Sequence, residues 1–381
     1  MTAPTPAEHA PLAPSAASRW VACTGSVSMC QQFPESADSP KSMEGTAAHW
    51  VCAEFLAGRD QIAIGTLAPN GIAVTQEMIE GAQMYYDAFP AEAIGPGGSL
   101  VAEYRVNAPS IHPTDNWGTL DARFIRNNTV SIYDYKFGHA YVDVFENWQF
   151  INYAAATMDE MPQFGDSRTW FEFTVVQPRC FHADGPVRTW RIRWDDLRRY
   201  FLRLAERAEL AMSPLASLEV GPHCAYCPAI HACPSAQQAA QRAFDLAQTP
   251  IPSPLDPASL SLLLRRVKAA AVTLKAMGGG LEEEAESRIR QGERVPGFDL
   301  IPGRGKTEWN KSLDEVQSLG VLLGADFRKA GCVTPIQAKK MLKDRGMDEG
   351  IVAAYSEAKS GSLQLGETNM AEMAAVFGRS E

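Results

Sequence analysis

The sequence has no hydrophobic run that approaches the roughly 18–20 apolar residues of a membrane span. Its first segment also lacks basic residues, because residues 1–18 are rich in alanine and proline and contain neither lysine nor arginine. A secretory signal peptide needs a basic region followed by an apolar one. The sequence therefore predicts a flexible tail over residues 1–18 and a cytoplasmic protein that makes no membrane contact.

Positive charge is also scarce, since 35 lysines and arginines face 45 aspartates and glutamates, a formal net charge of −10. This balance excludes a protein that coats nucleic acid through bulk electrostatics. It permits a local nucleic-acid groove, because charges are screened over about 8 Å at physiological ionic strength. The 8 cysteines are not expected to form a disulfide framework in a reducing compartment.

The periodicity of apolar residues predicts helices over 44–58 and 75–89, with Thr75 as an N-cap. It then predicts strands and helices in alternation, namely strands 99–106, 118–126 and 130–137, helix 145–158, strands 168–178 and 186–194, and helix 195–212. This order indicates an α/β core with a mixed central sheet flanked by helices, over residues 19–247. A proline-rich linker at 248–257 and a mainly helical C-terminal domain at 258–381 follow.

Carboxylates occupy three of the predicted strands. Residues i and i+2 of a strand share a face, so Asp134 and Lys136 in "SIYDYKFGHA" point the same way. Asp121 lies on the neighbouring strand and Glu103 on the strand before it. One interpretation is a solvated sheet face, since most strand acids are simply exposed. The other is an oxygen-ligand site for Mg²⁺ or Mn²⁺ serving phosphodiester hydrolysis.

These residues resemble a nuclease motif. Asp121 in "GTLD", followed by Asp134 and Lys136 in "YDYK", is similar to the motif of the PD-(D/E)XK superfamily in its RecB-like branch. Three further features match that branch, and they are His49 in "GTAAHW", Glu103 in "VAEYRV", and Gln149 with Tyr153 in "WQFINYA". The resemblance implies a restriction-endonuclease-like core. It also implies a metal site formed by His49, Asp121, Asp134 and the Tyr135 carbonyl, and a catalytic set of Asp121, Asp134, Lys136, Glu103, Gln149 and Tyr153.

A tight cysteine group, Cys224-x₂-Cys227-x₅-Cys233, has the spacing of a metal centre. Zinc would need a fourth ligand such as His223 or His231. A [4Fe–4S] cluster needs a fourth thiolate from elsewhere.

The segment "SRWVACTGS" resembles the Arg-x-x-x-Cys-Pro-x-Ser pattern of RecB-like nucleases that carry such a cluster, with Thr24 in place of the proline. The resemblance is to the CRISPR-adaptation nucleases and AddB-type nuclease domains. It implies Cys23 as the fourth ligand of an iron–sulfur cluster that joins the two ends of the nuclease domain. Cys30 is the alternative fourth ligand, and zinc is the alternative metal.

Residues 188–207 combine arginines with aromatic side chains, a composition typical of single-strand nucleic-acid grooves. The alternative is an amphipathic helix whose arginines are solvated. The residues predicted to contact DNA are Arg191, Arg193, Trp194, Arg198 and Arg199.

The resemblance covers roughly residues 19–235, and the whole chain looks like a phage and prophage family of RecB-like proteins. It implies a metal-dependent DNA nuclease, and an exonuclease rather than an endonuclease, that processes DNA ends in phage recombination or replication. The expected partners are linear DNA, including single-stranded ends, and a phage recombinase or single-strand-binding protein. The alternative function is a non-cleaving module, derived from a nuclease, that binds DNA or a recombinase.

Overall fold

The computed structural model describes residues 10–33, 40–94, 99–248, 250, 254–302, 307–309, 311–327, 333–358 and 363–367. The chain divides into two compact units, Met1–Gly280 and Leu281–Glu381. This division falls inside a helix and not at the proline-rich segment 248–257 that the sequence predicts as the boundary. Within the described residues, no helix combines the length and apolar character needed to cross a membrane.

A five-stranded sheet forms the centre of the first unit, with strands in chain order across it. The strands are β1 (Val101–Asn107), β2 (Trp117–Arg126), β3 (Thr129–Tyr135), β4 (Trp170–Val176) and β5 (Val187–Arg193). β3 and β4 pair in parallel and the other neighbours pair antiparallel. The predicted α/β class with a mixed sheet flanked by helices is therefore confirmed.

The helices of this part of the chain are α1 (Ala17–Ala22), α2 (Ser26–Gln32), α3 (Pro40–Leu56), α4 (Gln76–Asp87), α5 (Ala91–Ile94), α6 (Trp148–Glu160), α7 (Trp194–Ala211), α8 (Pro234–Gln248) and α9 (Pro257–Arg290). Thr75 caps α4 as predicted, because its side chain accepts the Met78 N–H. Asn147 caps α6 in the same way by accepting the Gln149 N–H. These caps fix where each helix begins relative to the sheet.

Two apolar cores lie on opposite faces of the sheet. Val130 and Ile132 of β3 pack in one core with α1, α6 and α7. Tyr133 and Tyr135 pack in the other core with α3 and α4. The alternation of side chains along β3 therefore directs Asp134 toward the α6 side and Tyr135 toward α3 and α4.

The N-terminal segment is packed where the sequence predicts a flexible tail. Leu12 is fully buried, its N–H donates to the Asp115 carbonyl at 3.0 Å, and its own carbonyl accepts from Asn116 Nδ2 at 3.0 Å. Trp20 Nε1 donates to the Ala13 carbonyl at 3.1 Å. The tail prediction is wrong for residues 10–18, because these apolar groups cover the sheet-side core. Residues 1–9 lie outside the described residues.

The second unit contains β6 (Phe298–Pro302), β7 (Thr307–Trp309), α10 (Leu313–Leu322), α11 (Pro335–Asp344), β8 (Ser356–Ala358) and β9 (Leu363–Glu367). β6 pairs with β9 and β7 with β8, both antiparallel. Val316, Phe327, Leu342 and Val352 form its core. The prediction of a mainly helical region over 258–381 therefore missed two small sheets.

Candidate active site and cysteine cluster

The site begins where β2 and β3 separate. Their last backbone pair before the separation is Ala122 with Tyr133, so the next residues, Asp121 and Asp134, are released from the ladder. Asp121 Oδ2 accepts a hydrogen bond from the Tyr135 N–H at 2.7 Å. This side-chain acceptor takes the place of a backbone carbonyl of β2. Two acidic side chains are thereby held at adjacent strand ends.

Glu103 interrupts the other side of β2. The β1–β2 ladder pairs Ala102 with Ala122 and Tyr104 with Leu120, and Glu103 between them has a φ of 48°. A left-handed backbone is uncommon outside glycine, asparagine and aspartate, and such residues concentrate at functional sites. This distortion sets Glu103 opposite Asp121 without a ladder bond.

His49 completes this acidic group from α3. Its Nδ1 lies 3.7 Å from Asp121 Oδ2. One ligand atom each from His49, Glu103 and Asp121 all lie within 4.8 Å of one another. The Tyr135 backbone also acts on the His49 ring and raises its pKa slightly, so the predicted carbonyl ligand lies beside the same group. An imidazole with several oxygens is a donor set that suits Mn²⁺ or Mg²⁺.

The buried Asp134 and the partly exposed Lys136 form an ion pair beside this group. Lys136 Nζ donates to Asp134 Oδ1 at 3.0 Å, and Gln149 Nε2, from the first turn of α6, donates to the same oxygen at 2.8 Å. Asp134 is 2% exposed. Gln149 therefore positions the carboxylate and not the lysine directly.

Tyr153 acts on the backbone of β2. Its hydroxyl donates to the Thr119 carbonyl at 2.6 Å, two residues before Asp121. Burial, with the nearby Asp121 and Asp134 charges, raises the pKa of Tyr153, so the hydroxyl stays protonated and keeps donating. The sequence groups Tyr153 with the catalytic residues, and the structure gives it a supporting contact.

The pocket is short of positive charge. Burial raises the pKa of Asp134 to about 6, and burial together with Asp121 raises the pKa of the solvent-accessible Glu103 to about 7. Burial also raises the pKa of Asp121. Burial and then the Lys136 charge lower the pKa of His49 to about 4, so its ring is neutral at pH 7. Burial alone lowers the pKa of Lys136, but Asp134 and Asp121 outweigh it and the net shift is upward. A divalent cation would relieve this accumulation of carboxylates.

The residues predicted to bind DNA lie elsewhere. Across the sheet, Asp134 is level with Val175 and Arg188, whereas Arg193 is level with Trp170 at the other end of β4. Five strand residues separate the two levels, which is about 17 Å. Arg193 therefore lies at the other end of the strand from the acidic group, and Arg191 lies three residues along β5 from the level of Asp134.

Local contacts account for these side chains. Arg191 lies 3.0 Å from Glu172 and stacks over Trp170, as does Arg193. Trp194 is half-buried and packs against Phe171 and Phe201. Arg198 and Arg199 are exposed on α7. DNA contact by this group remains a prediction.

Arg179 is a charged residue near the site that the sequence reasoning missed. Its guanidinium contacts Glu44 of α3 at 2.9 Å and Glu77 of α4 at 3.6 Å, and it lies 4.5 Å from the ring of Phe137. It follows β4 directly in "VVQPRC", and no spacing in the sequence connects it with α3. It ties the end of β4 to the helix that carries His49.

Cys23 and Cys30 lie near the loop that carries Cys224, Cys227 and Cys233, and from here on the cysteine group means these five residues. Cys23 follows α1, and the Glu219 N–H donates to its Sγ at 3.3 Å. The Gly221 N–H donates to Cys224 Sγ at 3.5 Å. The Sγ atoms of Cys30 and Cys227 are 3.9 Å apart. Backbone N–H groups directed at sulfur favour the thiolate form that metals bind.

His223 joins two of these sulfurs. Its hydrogen bond with Cys224, and then that with Cys23, raises the pKa of His223 to about 10. Burial raises the pKa of Cys224, but the His223 and Gly221 hydrogen bonds and the His223 charge together outweigh it, and the net shift is downward. A cationic ring beside thiolates fits a metal–thiolate centre better than a neutral pocket. Its second nitrogen contacts the Glu219 carbonyl at 2.9 Å.

The segment around Thr24 is fastened to the cysteine loop. The Ser217 N–H donates to Thr24 Oγ1 at 3.0 Å, and the Gly25 N–H donates to the Ser217 carbonyl at 2.8 Å. A Cβ on Gly25 would lie 2.9 Å from that carbonyl oxygen. The departure from proline at position 24 therefore supplies a hydroxyl that fixes Cys23 against residues 217–219.

The sulfur spacing bears on the choice of metal. A tetrahedral zinc site with 2.3 Å Zn–S bonds needs ligand atoms about 3.8 Å apart. Throughout the described ranges, the set of three metal-ligand atoms within 4.8 Å is the His49 group, and the cysteines form none. The 3.9 Å between the sulfurs of Cys30 and Cys227 matches the spacing of two ligands on one zinc ion, whereas a multi-iron cluster holds each thiolate on a separate iron.

A family model described as "Protein of unknown function (DUF2800)" matches residues 9–365. The match includes the whole five-stranded sheet, the carboxylate group and all five cysteines of the cysteine group. The chain belongs to this family.

Proposed function

We propose that this member of the family is a divalent-metal-dependent DNA nuclease of the PD-(D/E)XK type, and an exonuclease that processes DNA ends in phage recombination or replication. One observation carries the proposal. Side chains from α3, β1, β2, β3 and α6 converge where β2 and β3 separate, with His49, Glu103 and Asp121 within 4.8 Å and the Asp134–Lys136 pair beside them.

Mg²⁺ or Mn²⁺ would be held by Asp121, Asp134, His49 and the Tyr135 carbonyl, with Glu103 at the accessible edge. These donors fit the ion, because the carboxylates have raised pKa values that a cation would reverse and His49 is neutral. When bound, the ion supplies Lewis-acid stabilisation of the charge that develops on the phosphate and activation of a water.

Lys136 provides the positive charge that belongs to the chain itself. Asp134 and Asp121 raise its pKa, so the ammonium stays charged at neutral pH and faces the developing phosphate charge. Asp134 fixes the Nζ position through the 3.0 Å contact, and Gln149 fixes Asp134 in turn. Lys136 can then orient the attacking water while remaining protonated.

The cysteine group supports a second part of the proposal, a structural [4Fe–4S] cluster held by Cys23, Cys224, Cys227 and Cys233. It would fasten the N-terminal helices to the end of the nuclease core, which the Thr24–Ser217 contacts already bring together. The exonuclease preference, a recombinase partner and a single-strand-binding partner come from the family resemblance. These three remain expectations.

Time-resolved digestion of end-labelled linear DNA tests the proposal. We expect degradation that requires Mg²⁺ or Mn²⁺ and stops with EDTA, and a fall of about 100-fold or more in Asp134→Asn and Lys136→Ala. Asp195→Asn and Lys275→Ala, which change exposed residues of the same types, are the matched controls. Cleavage that survives both site substitutions would reject the site, and tight DNA binding without cleavage would favour the non-cleaving module.

A further inference from the structure

Exposed aromatic rings lie beside the site, in two loops that the proposed chemistry does not use. Phe181, in the turn between β4 and β5, is 97% exposed, and Tyr141, in the loop between β3 and α6, is 38% exposed. The rings of Tyr141 and His182 lie 4.2 Å apart. We call Tyr141, Phe181 and His182 the aromatic ledge. Phe181 is next in the chain to the exposed His182, whose ring is tilted by 37° to that of Tyr141, so the three residues form a small exposed aromatic patch.

A buried polar network holds the two loops together. Gln177 Nε2 donates to the carbonyls of Gly138 and Ala140 at 2.8 and 2.6 Å. Arg188 donates to Gln177 Oε1 at 2.7 Å and to the Val142 carbonyl at 3.0 Å. Gln177 and Arg188 are 1% and 6% exposed. The ledge is therefore preorganised before any ligand binds, which lowers the entropic cost of binding.

The two loops that carry the ledge begin beside the acid–lysine pair. The Lys136 N–H donates to the Val176 carbonyl at 2.9 Å, so the ends of β3 and β4 leave the sheet together. The loop of Tyr141 starts directly after this point and leads to α6, whose Gln149 contacts Asp134. We therefore expect the nucleotides on either side of a phosphate bound at Lys136 to lie near these loops.

The chemistry of the ledge favours stacking over phosphate binding. Tyr141 donates to Asp184 at 3.1 Å, and Arg179 is held by Glu44 and Glu77, so the surrounding charges are largely compensated. Aromatic faces bind unpaired nucleobases, whereas the faces of bases in a duplex are covered by their neighbours.

We propose that the aromatic ledge binds the bases of a single-stranded DNA segment next to the scissile phosphate, with Phe181 as its principal stacking residue. This inference rests on the proposed nuclease function and assigns its substrate as single-stranded DNA. It also predicts a binding contribution that depends little on salt, because stacking releases no counterions.

The test measures fluorescence anisotropy of labelled single-stranded and duplex oligonucleotides with the full chain carrying Asp134→Asn in Mg²⁺. We expect Phe181→Ala to weaken single-strand binding roughly 5- to 30-fold, to leave duplex binding unchanged, and to leave the salt slope unchanged. Phe181→Trp should keep the affinity. Phe244→Ala, which removes a 59% exposed phenylalanine on α8, is the matched control.

Unchanged single-strand affinity in Phe181→Ala, equal losses for single strand and duplex, or the same loss in Phe244→Ala would each overturn the inference. If Phe181 contacts a partner protein and not DNA, Phe181→Ala will leave the single-strand affinity unchanged, which is the first of these outcomes. The wild-type digestion assay separates this failure from failure of the proposed function. If the wild type cleaves DNA and Phe181→Ala does not change binding, only the role of the ledge is rejected. If binding depends on Phe181 but no cleavage occurs, the ledge is retained and the nuclease function is rejected.

Discussion

Asp121 accepts the backbone N–H of Tyr135 through Oδ2 at 2.7 Å, in place of the ladder bond that β2 and β3 no longer share. One carboxylate oxygen is thereby committed to the fold and the other is left for a ligand. The same bond sets the direction of the Tyr135 carbonyl and of the residues that follow it, Lys136 included. The residues at which β2 and β3 separate are thus the same residues that form the site.

We predict that Asp121→Ala and Asp121→Asn behave differently in thermal unfolding. Alanine leaves the buried Tyr135 N–H without its acceptor, which costs about 1–3 kcal/mol. Asparagine keeps an acceptor oxygen and removes a charge that burial disfavours, so its melting temperature should equal or exceed that of the metal-free wild type. Scanning fluorimetry of both variants, with cleavage assays in parallel, measures this. Equal destabilisation of the two would contradict the role of the hydrogen bond, while both should lose cleavage.

Manganese affinity should rise steeply between pH 5.5 and 8. Asp134 and Glu103 have pKa values of about 6 and about 7 and must lose their protons to bind the ion, whereas His49, at about 4, is already neutral. Below those values, each proton released strengthens binding up to about tenfold per pH unit. Isothermal titration calorimetry across this range measures the slope. Glu103→Gln should remove its upper part, and a flat profile in the wild type would contradict the assignment.

The stability of the metal-free protein should fall as pH rises from 6.5 to 8. A carboxyl group with a raised pKa stabilises the fold at low pH, and that stability is lost as pH passes through its folded value, about 7 for Glu103. His49 has the opposite sign, because its lowered pKa makes its contribution complete above about 6.5 and lost toward pH 4. Above pH 6.5 His49 no longer contributes, but His223, whose pKa is raised to about 10, has the same sign as the carboxylates, so the comparison with and without Mn²⁺ is what isolates the carboxylates. Melting temperatures with and without Mn²⁺ should diverge with rising pH, and a constant difference would count against a shared cation.

Substitution of Gln149 should change the pH dependence of cleavage. Its amide donates to Asp134 Oδ1, so Gln149→Glu places a second carboxyl group there and raises the pKa of Asp134 further. The acid limb of the pH–rate profile should move upward, and Gln149→Ala should lower the rate about tenfold without moving it as far. The cleavage rate of the double variant Lys136→Ala/Gln149→Ala, compared with the rates of the two single variants, measures the coupling between these two residues. A profile unchanged in Gln149→Glu would show that this contact is merely structural.

The five cysteines of the cysteine group should differ in their effect on metal content. Serine at Cys23, Cys224, Cys227 or Cys233 should remove the broad visible absorption and the iron, about four atoms per chain in the wild type. Serine at Cys30 should leave both in place, although its sulfur lies 3.9 Å from that of Cys227. Iron analysis and absorption spectra of anaerobically purified variants measure this. The reverse result for Cys23 and Cys30 would move the fourth ligand to Cys30, and a colourless protein with bound zinc would reject the cluster.

Arg193→Ala should leave DNA cleavage within about twofold of the wild type. Arg193 is about 17 Å along the strand from the level of Asp134, which exceeds the screening length of about 8 Å. Initial rates on labelled DNA at physiological salt measure this. A loss comparable to that of Lys136→Ala would mean that DNA extends to the far end of the sheet.

Local pattern determined much of this fold. Alternation along "SIYDYK" set Asp134 and Lys136 on one side of β3 and the two tyrosines on the other, because side-chain direction in a strand depends only on the backbone period. The Thr75 cap and the order of strands and helices followed from the same short-range chemistry. The acidic residues of the site were also recognisable, since their types and spacing are properties of the chain itself.

Only the tertiary structure decided which of these residues meet. The Asp121–Tyr135 bond and the contact of His223 with Cys23 join residues that are separated in the chain. The left-handed backbone of Glu103 is likewise set by its surroundings in the sheet. Such contacts are set by burial and packing, which no local window records. The same packing buried much of residues 10–18, which composition marks as a loose tail, and placed Arg193 at the far end of β5 from the level of Asp134. Sequence spacing fixes a side chain's direction, whereas the distance between two side chains depends on how the whole sheet and its helices pack.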